Sequence, residues 1–132
     1  MRELLVLALS IFGLSTCYAS ENGCSYSEAS MIENSKEHGE RFNISIELIE
    51  ANYRIDINTP QYLKGSKFRQ AWIVKMDRKN DKELFVFPIS LHQENDLLNG
   101  WFSISGDLFS NMILYVDYGE DCPFTVKKTI KD

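Results

Sequence analysis

FRQAWIVKMDRKNDKELFVFPISL, Phe68 to Leu91, is the stretch whose reading decides the fold. Two runs rich in β-branched and aromatic residues flank a charged, turn-forming segment, Asp77 to Lys82. In the first run Phe68, Trp72, Val74 and Met76 share one parity. In the second, Phe85, Phe87, Ile89 and Leu91 do. A strand points alternate side chains to opposite faces, so each set is expected to line one wall of a core, Trp72 included. The other parity holds Ala71 and Ile73, then Leu84 and Val86. Strands apolar on both parities sit near the middle of a sheet, partly covered on both sides. Pro88 lacks the N–H that a ladder uses, so a bulge or an edge is expected on its side.

Upstream, Phe42, Ile44, Ile46 and Leu48 alternate with Asn43, Ser45 and Glu47, the pattern of a half-buried strand. After Ile49 the apolar parity passes to Tyr53, Ile55 and Ile57. A turn or bulge at Glu50 to Asn52 accounts for the slip. Asn58 to Pro60 stops that strand, and Lys64 to Ser66 reads as a loop. Downstream, Glu94 to Gly100 is a polar break and Trp101 to Ser105 a short strand. Met112, Leu114, Val116 and Tyr118 form one face of the next strand, and Cys122, Phe124, Val126 and Ile130 give a last one. About seven short strands with frequent breaks predict an all-β chain: an antiparallel β-sandwich of immunoglobulin-like character, with a small barrel as the alternative. The polar residues 20–41 form a leader. It is either disordered or holds a short helix over about Tyr26 to Glu37, with Ser25 and Glu28 at capping-box spacing. Only Ala29, Met31 and Ile32 would face a core there.

The chain has 132 residues, and its start reads as a signal peptide over residues 1–19. Arg2 precedes the apolar run Leu4 to Leu14, and a small-residue site ends at Ala19. The run is too short to span a bilayer, which takes about 20 apolar residues. LSTC, Leu14 to Cys17, resembles a bacterial lipoprotein signal, and the resemblance implies a lipid anchor on Cys17. Thr16 departs from the small residue usual in that motif, and cleavage after Ala19 is the expectation. The sandwich then occupies residues 42–132 of a secreted or periplasmic chain. An even pair of cysteines in an exported domain is most simply one disulfide, Cys24 to Cys122. Closing so long a loop is worth about 4–5 kcal/mol in the chain-entropy model.

Net charge is −5, which disfavours nucleic acid and anionic membrane surfaces as partners. Asp117, Glu120 and Asp121 cluster at one strand end, with Glu94, Asp96 and Asp107 in other loops. They are weak calcium candidates or a solvated acidic rim, because the spacing fits no EF-hand loop. His38 and His92 lie far apart without a metal-ligand pattern. No GxSxG elbow is present, and no cofactor is expected. Trp101 follows Asn99–Gly100 on the parity opposite Phe102 and Ile104. It either packs over the end of the core or stands exposed, where a Trp stacks on a sugar ring or anchors an interface, with Tyr62 as a second loop aromatic. Asn43-Ile44-Ser45 is a glycosylation sequon, relevant in a eukaryotic chain.

With no catalytic motif, the leading expectation is a non-catalytic binding or accessory module that acts on a protein partner through loops or a sheet edge. A carbohydrate-binding module using Trp101 and neighbouring loops is the alternative. A small secreted hydrolase with paired loop carboxylates or a Ser–His pair is the second.

Overall fold

The hairpin forms as its turn chemistry dictates. Asp77 accepts hydrogen bonds from the Lys79 backbone N–H (2.9 Å) and the Asn80 amide (2.8 Å), and Asp81 takes the left-handed φ of +51° that closes the turn. The structure, a computed structural model, describes residues 27–131. The signal segment, Cys17 and Cys24 lie outside the described residues.

Helix α1 covers Glu28–His38, and nine strands follow: β1 Asn43–Ile49, β2 Asn52–Pro60, β3 Tyr62–Leu63, β4 Ser66–Asp77, β5 Lys82–Ile89, β6 His92–Glu94, β7 Leu97–Ser105, β8 Met112–Tyr118 and β9 Phe124–Ile130. They build two antiparallel sheets. One has the order β1-β2-β7-β6. The other runs β3-β4-β8-β9, with β5 also paired to β4. The all-β sandwich is therefore observed. The two strands beyond the expected seven, β3 and β6, are very short.

The slip after Ile49 is a two-residue turn, with Ile49 paired to Asn52 and Glu50 at φ +57°. The expected polar break from Glu94 to Gly100 is instead a second tight hairpin. Glu94 pairs with Leu97, and Asn95 at φ +57° makes the turn, so β7 starts four residues earlier than expected. Asn tolerates the left-handed region because its short polar side chain bonds locally.

The core lies between the sheets, with Phe42, Ile55, Ile57, Ile73, Leu114, Val116 and Tyr118 all fully buried. On β5 the inward set is as expected, and Phe87 packs against this core. On β4 the expected parity is corrected. Residues directly opposite each other share a face, and Ile73 pairs with Phe87 and Leu114. Ala71 and Ile73 thus point inward, while Trp72 and Val74 lie on the outer face. There Trp72 stacks on Tyr115, with ring centroids 5.5 Å apart. Phe68 still reaches the core, because the register shifts between Phe68 and Gln70. Pro88 lies on an edge strand, and the β4–β5 bulge sits at Lys75/Met76 rather than at Pro88.

The leader holds a helix, but Ser27 caps it: Ser27 Oγ accepts the Ser30 backbone N–H, and Ser30 Oγ accepts the Ser27 backbone N–H. Ala29 and Ile32 are exposed. The helix docks through polar groups instead. Ser35 Oγ accepts the Lys127 backbone N–H (2.9 Å), and buried Asn34 accepts from Lys64 Nζ (2.7 Å). The backbone donor of β9 that would otherwise face water is thereby met by α1.

Candidate functional site

The outer face of the four-stranded sheet follows from strand alternation. Ile55 and Ile57 point into the core, so Arg54 and Asp56 point out. Phe102 packs inward, so Trp101 points out, and the register sets Trp101 directly opposite Asp56. Trp101 is 58% exposed. The Arg54 guanidinium lies over its ring, 4.5 Å from the centroid. Asp56 holds that guanidinium from both sides of its carboxylate, with Arg54 Nε donating to Oδ2 and Nη2 to Oδ1, each at 2.9 Å. This hydrogen-bonded pairing keeps the Asp56 carboxyl below its usual range and raises Arg54.

Two depressions flank this group. One, of about 490 Å³, is lined by Trp101, Asp56, His92 and Asn99 together with Phe87 and Pro88 of β5. The other, of about 410 Å³, is lined by Asp56, Asn58, Glu94 and Asn99. They share Asp56, Asn99 and Gly100, so they form one shallow trough. Asn99 Nδ2 donates to Glu94 Oε2 at 2.6 Å, which fixes the amide. Gly100 is needed where the β5–β6 link passes: a Cβ there would meet Leu91 Cδ2 at 2.5 Å and the Ser90 carbonyl oxygen at 2.7 Å.

A second surface lies on the opposite sheet. Among the described residues β5 pairs only with β4. Its outward residues Leu84 and Val86 are 57% and 49% exposed. On the same face they adjoin buried Val74, half-buried Ile113 and the Trp72–Tyr115 stack. Burial, with Glu83 and Glu28 nearby, pushes the Tyr115 phenol up.

The remaining sequence candidates are placed as follows. Tyr62 is exposed on β3 of the five-stranded sheet and does not share a sheet with Trp101. Asp117 is buried and accepts from Gln70 Nε2 (2.9 Å) and Thr125 Oγ1 (2.5 Å). Glu120 and Asp121 line a depression beside Lys67 and Arg69. Among the described residues no three His, Cys, Asp or Glu side chains stand grouped to hold a metal ion. His38 is half-buried near Glu37, while His92 is exposed on β6. Asn43 is exposed on β1 opposite Asn58 of the trough. Cys122 lies in the β8–β9 connection. Among the described residues no helix is long and apolar enough to cross a membrane.

Sequence reasoning passed over Arg54, Asp56 and Asn99. The Arg-x-Asp spacing on a strand, out of phase with Ile55 and Ile57, is the signal that puts a cation and a carboxylate on one outward face. No protein-family model, curated protein or solved structure is similar enough to this chain to match it.

Proposed function

We propose that this chain is an exported, non-catalytic binding module on an immunoglobulin-like sandwich, acting on a protein partner through the β5 edge. The observation that carries the reading is an edge strand that, among the described residues, is paired on one side alone, with Leu84 and Val86 standing exposed beside an aromatic outer face. Such an edge accepts an extended segment of another chain: main-chain bonds supply affinity, and pockets for alternate side chains supply specificity. The occupant is a segment with apolar residues at alternate positions, and burying the half of Leu84 or Val86 still exposed contributes about 1 kcal/mol each. Charged Lys82 and Glu83 at the start of β5 and Pro88 near its end limit indiscriminate pairing.

The test compares wild type with Leu84→Lys/Val86→Lys as baits in the exported fraction of the source cells. Both positions are exposed, so the variant folds, as circular dichroism will show. A protein enriched by wild type and lost with the variant supports the reading. Identical captures by both, or no enrichment by wild type, overturns it.

Export and the Cys24–Cys122 bond belong to the same proposal. The intact mass of the exported protein is expected to lack residues 1–19. Alkylation is expected to label both cysteines only after reduction. A diacylglyceryl mass on Cys17 would replace the soluble form with a lipid-anchored one.

A further inference from the structure

We infer that the trough beside Trp101 is a binding site for a neutral carbohydrate, one pyranose unit lying with its C–H face against the indole and its hydroxyls meeting Asp56 and Asn99. This site is floored by the four-stranded sheet and bordered by Phe87 to Ile89 at the end of β5; Leu84 and Val86 line no part of it, so it is tested independently of the edge reading.

Three observations carry it. The first is the aromatic wall: Trp101 is more than half exposed, yet it is held in place by the guanidinium on its ring. An amphipathic ring with few rotatable bonds binds at low entropic cost when it is already fixed. The second is the hydrogen-bonding inventory. Arg54 covers one face of the indole and lines neither depression, so Asp56 and Asn99 supply the polar wall. Each Asp56 oxygen keeps a further lone pair. The Asn99 amide is fixed by Glu94 and retains its carbonyl oxygen and one N–H. Acceptors on Asp56 and both a donor and an acceptor on Asn99 thus stand along one wall, which suits hydroxyls, each both donor and acceptor. The third is shape and charge. At about 490 Å³ beside Trp101 and 410 Å³ beyond Asn99, each depression lies within the range of about 300–1,000 Å³ found for small-ligand sites. The second depression lets a further sugar unit continue the chain. Asp56 and Glu94 line the trough, no Lys or Arg does among the described residues, and the neighbouring Arg54 is already paired with Asp56. A neutral sugar is therefore favoured over a uronate or sulfated one.

The experiment is a ¹H–¹⁵N titration that follows the indole N–H signals of the chain's two tryptophans. Trp101→Phe assigns the pair. The probes are the methyl pyranosides of glucose, galactose, mannose and N-acetylglucosamine, at concentrations well above a millimolar Kd, with methyl glucuronide as the anionic comparison. The expected result is a saturable shift of the Trp101 signal with at least one neutral pyranoside, with Trp72 still. Asn99→Ala is expected to weaken that binding by about fivefold, the effect of one lost hydrogen bond, and Leu84→Lys to leave it unchanged. No saturable Trp101 shift with any neutral probe overturns the inference. So does a response to the glucuronide alone, or equal movement of both tryptophans.

Discussion

Replacing Tyr118 with alanine is expected to destabilise the sandwich by about 3–5 kcal/mol. Tyr118 is fully buried and joins three aromatic neighbours. Phe42 and Phe68 meet it edge-on at 6.2 and 6.3 Å, and Phe124 stacks on it at 5.6 Å. Those rings come from β4, β9 and the residue before β1, so the cavity would open between both sheets. Its hydroxyl donates to the Pro60 carbonyl at 2.7 Å, tying β8 to the end of β2. Tyr118→Phe keeps the rings and removes only this bond, at about 1–2 kcal/mol. Urea unfolding with an unchanged slope measures both, and equal midpoints for Tyr118→Ala and wild type would refute the assignment.

The same side chain sets a limit at high pH. Burial pushes the Tyr118 phenol well above its ordinary value of 10.0. The folded state therefore holds the proton after an unfolded tyrosine has lost it. The stability this contributes is complete below pH 10 and is lost as pH rises toward the folded value. Tyr118→Phe, less stable at neutral pH, is expected to lose stability less steeply above pH 10. Parallel curves for the two proteins would contradict this.

Gly100→Ala is expected to destabilise by about 1–3 kcal/mol. The added methyl would stand 2.5 Å from Leu91 Cδ2 and 2.7 Å from the Ser90 oxygen. Leu91 can turn away, but the Ser90 carbonyl is backbone. It belongs to the link by which the chain passes from β5 to β6, from one sheet to the other. Relief therefore requires the two sheets to part where the trough is built. A urea midpoint matching wild type would show that the link yields without cost.

Alternation on β1, β2, β5 and β8 is written in single residues, and those strands are legible. What fails is anything that depends on a partner. β4 is apolar on both parities, and only pairing with Phe87 and Leu114 decides that Ile73, not Trp72, points inward. The Asn95 turn was missed because β6 is three polar residues whose strand character comes from β7. At the trough, the outward parity of Trp101 was readable. The meeting of Trp101 with Asp56 was not, since it depends on a register between strands more than forty residues apart.

Helix α1 against β9 has a consequence for valence. With the Lys127 backbone N–H committed to Ser35, and Lys128 Nζ to the carbonyls of Gly39 and Phe42, the β9 side of the five-stranded sheet is closed to a newcomer. Among the described residues, with two-residue β3 on the same side of β4, the long open edge of this sheet is β5. Two copies joined through it could meet only face to like face about a two-fold axis, and that contact would use up the one open side of each. Through this sheet the molecule terminates rather than propagates, so a partner strand laid on β5 would be capped by the domain instead of seeding a fibre.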